Sequence, residues 1–195
     1  MTDVDAAVAA IRDGKLAIVP TDTVYGLATS PHREEFTRRL YAAKGRGARQ
    51  PTALVAASVE VLCALLPELD SRLAPVLPGP YTLVVPNPER RFPWLLGDGE
   101  AIGVRVPALD GVALELLTRA ESFVATSANL PGEPDPRTLA DVPPELRAAA
   151  AALVDGGELP GTPSTVIDLT GPDPVVLREG AVPASEALRA VASVL

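Results

Sequence analysis

The sequence predicts a single α/β domain, a twisted mixed sheet with flanking helices, and two observations carry that prediction. Segments in which apolar residues recur at helical spacing alternate with short extended segments along all 195 residues, a pattern typical of helices layered on one sheet. The proline-rich stretches fall between these segments, at 86–93, 131–136 and 172–174, where proline stiffens connections. The length fits one domain over residues 1–195, and the apolar content of 47% is enough for a core.

The N-terminal half is predicted to begin with a helix, because apolar residues recur at helical spacing between Asp3, a suitable N-cap, and Gly14, a stop signal. A continuous apolar run follows and predicts a buried strand over 15–19. Ser58 precedes another stretch with helical spacing and predicts a helix cap. The other predicted elements of this half are a helix over 33–43 and an extended segment over 52–57.

The C-terminal half alternates in the same way. The segment 101–106 changes polarity with a period of two around Arg105, which predicts a strand. An alanine-rich stretch predicts a helix over 146–153. The other predicted elements are strands at 81–85, 123–126, 165–169 and 175–177 and helices at 111–119 and 185–195.

The most informative segment is Pro20-Thr21-Asp22-Thr23-Val24-Tyr25-Gly26-Leu27, which directly follows the first strand and is predicted to form a glycine-punctuated turn. It places two hydroxyls, a carboxylate and a phenol at the carboxyl end of a strand, the edge at which open α/β sheets bind ligands. Hydroxyls both donate and accept hydrogen bonds, so they suit the ammonium and carboxylate of an amino acid. The alternative is a turn in which Thr21 or Asp22 bonds its own backbone.

Lys44-Gly45-Arg46 follows a predicted helix and suggests phosphate binding, because glycine lets the backbone approach a ligand while lysine and arginine neutralise phosphate oxygens. The alternative is that these cations complement the dipole at the helix C-terminus. The segment is not a Walker-type phosphate loop, since the spacing of glycines before the lysine is absent.

Further polar groups follow other strands. Arg105 lies in an otherwise apolar strand. If it faces the covered side of the sheet, we expect a bound carboxylate or phosphate as its partner, because a guanidinium is costly to bury without an anion. The alternative is that it faces water and is a surface residue. Small polar turns or strand ends also present Ser127, Asn129, Ser164 and Arg178. Several strand ends of this kind together predict a site for a polyanionic small molecule.

Composition excludes several classes of protein. A net charge of −8 and 4% aromatic residues disfavour a general nucleic-acid-binding surface. One cysteine and one histidine cannot form a disulfide framework or a zinc site. Without a signal peptide or an apolar run of about 18 residues, we expect a soluble cytoplasmic protein. With no histidine base or nucleophile elbow, the residues suit a reaction that depends on positioning and charge neutralisation.

Six motifs then occur in an order that matches a known family: Pro-Thr-Asp-Thr-Val-Tyr-Gly-Leu at 20–27, Lys-Gly-Arg at 44–46, Pro-Gly-Pro-Tyr-Thr-Leu at 78–83, Val-Arg-Val-Pro at 104–107, Thr-Ser-Ala-Asn-Leu-Pro-Gly at 126–132 and Ser-Thr-Val-Ile-Asp at 164–168. On these motifs the sequence resembles the YrdC-like family, and within it the single-domain threonylcarbamoyl-AMP synthases of the TsaC type. The resemblance covers about residues 15–180.

The resemblance implies a fold that encloses a positively charged cavity. It implies a nucleotidyltransferase reaction in which L-threonine, bicarbonate and ATP give threonylcarbamoyl-AMP and pyrophosphate. The product would pass to a threonylcarbamoyl transferase complex of the TsaD type for the threonylcarbamoyladenosine modification of tRNA. The resemblance leaves open weak tRNA binding and a monomer or a homodimer.

The resemblance also assigns residues. The expected threonine contacts are Thr23, Tyr25, Arg105 and Ser164. The expected ATP contacts are Lys44, Arg46, Gln50, Ser127, Asn129 and Arg178. Of these, Lys44, Arg46, Ser127 and Asn129 are expected to be catalytic. Mg²⁺ is expected to accompany ATP, and no protein side chain is identified as a metal ligand.

The chain departs from the family pattern at Val55, Ala101, Gln50 and Pro131, where relatives commonly carry other residues. The histidine common at position 55 would contact threonine, so its replacement by valine leaves one substrate contact open. Two alternative functions remain open at this point: a paralogue that keeps the fold but has lost the synthase activity, and an RNA-binding module.

Overall fold

The computed structural model of the protein describes residues 3–45, 52–69, 73, 76–96 and 100–194. In these ranges, helices and strands alternate from end to end, and the strands form one mixed nine-stranded sheet. This confirms the predicted mixed α/β class.

The helices are α1 (Asp3–Arg12), α2 (Glu34–Ala43), α3 (Val59–Leu65), α4 (Gly111–Ala120), α5 (Pro144–Ala149) and α6 (Ala184–Ala192). The strands are β1 (Ala17–Val19), β2 (Gly26–Thr29), β3 (Ala53–Ala56), β4 (Tyr81–Pro86), β5 (Ala101–Arg105), β6 (Ser122–Ser127), β7 (Ala152–Leu153), β8 (Thr165–Asp168) and β9 (Val175–Arg178). Two short 3-10 turns cover Pro93–Leu95 and Leu139–Asp141.

The strand order across the sheet is β7-β1-β2-β6-β3-β5-β4-β8-β9. The pairs β7–β1, β3–β5 and β4–β8 are parallel, and the other five pairs are antiparallel. In the centre, Ala53 lies opposite both Gly103 and Ala125, so three neighbouring strands present small residues on the same face.

Helices cover the two faces of the sheet unequally. On one face, α2, α3 and α6 pack over an apolar layer that runs from Ile18 to Ile167. On the other face, α1 and α4 pack on β1, β2, β6 and the end of β3, around Val55 and Phe123. The strands β5, β4 and β8 have no helix of this second cluster above them, so half of that face is not covered by a helix within the described ranges. This opening is where the candidate site lies.

Local signals account for several element boundaries. The Ser58 hydroxyl accepts a hydrogen bond from the Val61 amide at 3.3 Å, which confirms the predicted cap of α3. Gly14 ends α1 with a φ of +68°, a conformation that favours glycine. The alternation predicted around Arg105 is also confirmed, because Ile102 and Val104 are buried while Ala101 and Gly103 are only half-buried.

The helix predicted over 146–153 is wrong in its second half. The helix α5 ends at Ala149, and Ala152–Leu153 forms the edge strand β7. The Ala151 amide donates to the Leu16 carbonyl at 2.8 Å, and the Val154 amide donates to the Ile18 carbonyl at 3.0 Å. Pairing with the free edge of β1 therefore outweighs the helix propensity of alanine.

The turn predicted over 20–27 ends earlier than expected, because Gly26–Thr29 forms the fully buried strand β2. This strand pairs antiparallel with β1 on one side and with β6 on the other. None of the helices in the described ranges combines the length and apolar character needed to cross a bilayer.

Candidate active site

A cavity of about 370 Å³ occupies the open half of the sheet face. Its floor consists of small or short side chains on neighbouring strands, among them Ala53, Gly103 and Ala125. Polar groups approach from the strand ends, and the polar residues of the lining are Thr21, Thr23, Thr52, Thr82, Arg105, Thr126, Ser127, Ser164 and Arg178. The site therefore spans the face of the sheet between several strand ends.

Arg105 and Thr23 meet at one side of this cavity. The Arg105 Nη2 donates to the Thr23 hydroxyl at 2.9 Å and forms an ion pair with the Asp22 carboxylate. The side chains of Arg105 and Asp22 are only 11% and 8% exposed. The buried Nε of Arg105 has no hydrogen-bond partner among the described residues. Arg105 is therefore not a surface residue, and its partner in this structure is the Asp22 carboxylate of the same chain, whereas the sequence predicted a bound carboxylate or phosphate.

Burial and mutual attraction act in opposite directions on the pKa values of this ion pair. Burial raises the pKa of Asp22 although Arg105 lowers it, and burial lowers the pKa of Arg105 although Asp22 raises it. The charge of Arg178, which also lines the cavity, lowers the pKa of Arg105 further. Two cations at one side of a cavity favour a bound anion.

Ser164 links the start of β8 to Arg178 and Thr82. The Arg178 Nη2 donates to the Ser164 carbonyl at 2.8 Å, and the Ser164 and Thr82 hydroxyls are 2.8 Å apart. Arg178 is exposed and Ser164 is buried, so the guanidinium stands at the mouth and the hydroxyl lies inside. Arg178 was predicted to contact ATP; in the structure it contacts Ser164 and lines the same cavity as Arg105.

Lys44, Ser127 and Asn129 form a second polar group. The Lys44 ammonium donates to the Ser127 carbonyl at 2.6 Å, to the Asn129 side-chain oxygen at 2.8 Å and to the Asn129 carbonyl. The Ser127 hydroxyl donates to the same side-chain oxygen at 2.7 Å. Lys44 is only 2% exposed, and of the three residues Ser127 lines the cavity. The structure thus brings these three predicted residues together.

Tyr25 has a different position from the other predicted residues. It is fully buried and does not line the cavity. Its hydroxyl lies 2.8 Å from the Gly157 carbonyl and 3.0 Å from the Asp155 carboxylate, and it accepts a bond from the Gly156 amide at 2.9 Å. Burial raises the pKa of Tyr25 to about 12. These contacts tie the 20–25 segment to the loop after β7.

Two predicted ATP contacts, Arg46 and Gln50, lie outside the described residues. Two lining threonines, Thr52 and Thr82, were not predicted. The Thr52 hydroxyl donates to the Ala125 carbonyl at 2.7 Å, and Thr82 contacts Ser164. Both threonines lie at the beginning of predicted strands, so the register of those strands would have been needed to find them.

The described lining offers hydroxyls and guanidiniums, with Arg105 and Arg178 as its charged residues and no carboxylate. Within the described ranges there is also no group of three or more histidine, cysteine, aspartate or glutamate side chains that could hold a metal. These donors do not fit a resident Mg²⁺, which prefers carboxylate oxygens.

Comparison with known protein families identifies the family of this chain. The family model for Sua5, YciO and YrdC, described as "Telomere recombination", matches residues 9–180. This chain belongs to the YrdC/Sua5 family. The resemblance predicted from the six motifs is therefore confirmed.

The relatives of this YrdC/Sua5 chain include curated enzymes. It is 40% identical over 182 residues to the threonylcarbamoyl-AMP synthase of Pyrococcus abyssi, covering 90% of this chain and 53% of that protein. It is 35% identical over 160 residues to the threonylcarbamoyl-AMP synthase of Xanthomonas axonopodis pv. citri, covering 79% of this chain and 86% of that protein. The chain thus spans about half of the archaeal relative and most of the bacterial one.

Solved structures of the family superpose closely on this chain. The crystal structure of P. abyssi Sua5 complexed with L-threonine has a TM-score of 0.89 at 35% identity, and the match covers 100% of this chain and 59% of that one. YciO of Escherichia coli has a TM-score of 0.82 at 26% identity, with 95% and 92% covered.

Proposed function

We propose that this YrdC/Sua5 chain is a threonylcarbamoyl-AMP synthase. It would convert L-threonine, bicarbonate and ATP into threonylcarbamoyl-AMP and pyrophosphate for the threonylcarbamoyladenosine modification of tRNA. The observation that carries the proposal is that two polar groups meet one cavity. Thr23 and Arg105, which are hydrogen-bonded to each other, both line it, and Ser127, which is hydrogen-bonded to Asn129, brings the Lys44–Ser127–Asn129 group to it. Identities of 35–40% to named synthases support it.

Threonine is assigned to the side of the cavity that holds Arg105. The unpartnered Nε of Arg105 and the neighbouring charge of Arg178 favour a carboxylate there. The hydroxyls of Thr23 and Ser164 can donate to or accept from the ammonium and the hydroxyl of the amino acid. The floor beside Arg105 carries Val55, so an apolar surface meets the methyl group of threonine. Tyr25 holds the surrounding loop instead of touching threonine.

The triphosphate of ATP is assigned to the side with Lys44, Ser127 and Asn129. The ammonium of Lys44 orders the 127–129 turn through the two carbonyls it bonds, and its charge offsets that of a phosphate bound at Ser127. Arg46 and Gln50 are proposed as further ATP contacts, because the family resemblance assigns both residues to ATP. Mg²⁺ enters as part of the ATP substrate, held by phosphate oxygens.

The reaction requires positioning more than a protein nucleophile. The neutral amine of threonine attacks the carbon of CO₂ and loses a proton, which gives a carbamate; from bicarbonate the same carbamate forms with loss of one water. A carbamate oxygen then bonds to the α-phosphorus, and the bond to the bridging oxygen breaks so that pyrophosphate leaves with the electron pair. A desolvating cavity lowers the pKa of the amine and so increases its reactive fraction. The arginine and lysine groups hold the two reactants together.

Substitution of the Lys44 ammonium tests the phosphate assignment. We expect Lys44→Ala to reduce pyrophosphate release from ATP in the presence of threonine and bicarbonate by about 100-fold or more, the usual effect of losing one electrostatic donor. Lys15, the other lysine of the chain, is 58% exposed, so Lys15→Ala is the matched control and should stay within about twofold. Circular dichroism checks that both variants fold. A folded Lys44→Ala protein with full activity would contradict the assignment.

A further inference from the structure

We propose that Asp22 is a positioning residue, which fixes the Arg105 guanidinium at the threonine side of the cavity without itself touching substrate. This inference rests on the proposed function for its link to threonine. The sequence left Asp22 undecided between a ligand contact and support of its own turn, and the geometry points to a third role.

Asp22 lies behind Arg105 as seen from the cavity. Arg105 lines the cavity, whereas Asp22 does not. Asp22 instead lines a second cavity of about 310 Å³ on its other side, between the 20–22 segment and the start of α4. Its Oδ1 forms the ion pair with Arg105 Nη2, and its Oδ2 accepts a hydrogen bond from the Ala108 amide at 3.3 Å. One carboxylate thus joins the end of β5, the loop after it and the 20–25 segment.

These contacts fix the orientation of the guanidinium. Nη2 is shared between the Asp22 carboxylate and the Thr23 hydroxyl, so the plane of the group is held from two directions. A planar donor group held in this way presents its remaining N–H groups in a defined direction, which a carboxylate ligand requires. Among the described residues, Asp22 is the carboxylate that forms an ion pair with Arg105.

The ion pair is poorly suited to a purely structural role. Both partners are almost fully buried, and burying an ion pair in a fold costs about as much as the pair returns. The pKa directions of both groups agree with a dominant cost of burial. We therefore explain this ion pair by the orientation it imposes on the guanidinium of Arg105, which lines the cavity.

Binding measurements on a double-mutant cycle test the role. We expect Asp22→Asn to weaken L-threonine binding about tenfold in titration calorimetry, the effect of losing one charged hydrogen bond, and to change ATP binding less than about twofold. In an Arg105→Lys background the same substitution should change threonine binding less than about twofold, because its target is gone. Asp13→Asn is the matched control, since Asp13 is 63% exposed and pairs with exposed Lys15.

Two results would overturn the role of Asp22. One is equal weakening of threonine and ATP binding by Asp22→Asn, which indicates general disruption of the fold. The other is an undiminished effect in the Arg105→Lys background.

A second measurement keeps the test independent of the proposed function. In ¹⁵N-arginine-labelled protein without ligand, the Nε–H signal that disappears in Arg105→Lys belongs to Arg105. We expect that signal to be sharp in the wild-type protein and broadened or shifted in Asp22→Asn, and an unchanged signal would overturn the role. If the wild-type protein binds no threonine, the proposed function fails, while this signal still decides whether Asp22 positions Arg105.

Discussion

At the residue scale, Thr21, Asp22 and Tyr25 of the 20–27 segment each form side-chain contacts with a different part of the molecule. The Thr21 hydroxyl donates to the Val24 carbonyl at 2.7 Å within the turn itself. Asp22 contacts Arg105 and Ala108, and Tyr25 contacts the 155–157 loop. The two alternatives for this segment, ligand binding and turn support, therefore apply to different residues of the same turn.

The Tyr25 hydroxyl makes a prediction about stability. Tyr25→Phe should lower the free energy of unfolding by about 1 kcal/mol at pH 7, because the Gly156 amide and the Gly157 carbonyl lose their partner. Since the folded-state pKa is about 12 against 10.0 for an ordinary tyrosine, the wild-type protein also loses stability as the pH rises from 10 towards 12. The variant should lack that loss. Urea unfolding at pH 7, 9 and 11 measures both effects.

The matched control at pH 7 is Tyr81→Phe, because no hydrogen bond of the Tyr81 hydroxyl is found in the described ranges. Burial and the charge of Glu186 raise the pKa of Tyr81 as well, so this control applies to pH 7 alone. Its stability at pH 7 should remain within about 0.5 kcal/mol of the wild type. If Tyr25→Phe were as stable as the wild-type protein at every pH, the hydroxyl would not anchor the loop.

At the element scale, the cavity exists because neighbouring strands place small residues side by side and because α1 and α4 stop short of β5. Its far wall depends on the packing of β9 against the start of β8. A Cβ added to Gly180 would lie 2.6 Å from the backbone carbon of Ser164 and would also meet the Pro163 carbonyl. Only glycine fits this contact, so Gly180 sets the position of Ser164.

Gly180→Ala is therefore expected to destabilise the fold by about 1–3 kcal/mol, the usual cost of overpacking, and to raise the KM for threonine by displacing Ser164. Gly171→Ala is the matched control, because a Cβ there would lie 3.8 Å from its nearest neighbour, the Asp173 carbonyl. Thermal unfolding and steady-state kinetics of the two variants make the comparison. Equal behaviour of both variants would contradict the proposed wall.

Elements with strong local signals could be predicted from the sequence. The alternation around Arg105 and the Ser58 cap are examples, since each depends on residues close in the chain. The edge strand β7 could not be predicted, because its stability comes from Leu16 and Ile18, far away in the sequence. The strand β2 was missed because turn residues precede it directly and its four residues are too few for a clear period.

At the scale of the whole molecule, one face of the sheet is divided between a packed half and an open half, and the open half is the candidate site. The sequence predicted Thr23, Arg105, Ser127, Ser164 and Arg178, and all five line the cavity. It could not predict that Asp22 lies behind Arg105 or that Tyr25 bonds the 155–157 loop, because both contacts depend on the path of loops across the sheet. Family motifs identified the residues, and the fold shows which of them face one cavity.

If this cavity joins threonine, bicarbonate and ATP, the protein must release the adenylate product, and that product can be detected directly. The protein is mixed with ATP, L-threonine and ¹³C-bicarbonate, and the products are separated and analysed by mass spectrometry. We expect threonylcarbamoyl-AMP that carries the ¹³C label, with pyrophosphate in equal amount, and no such product when threonine is omitted. Folded protein that yields no labelled adenylate, or that releases pyrophosphate equally without threonine, would contradict the account.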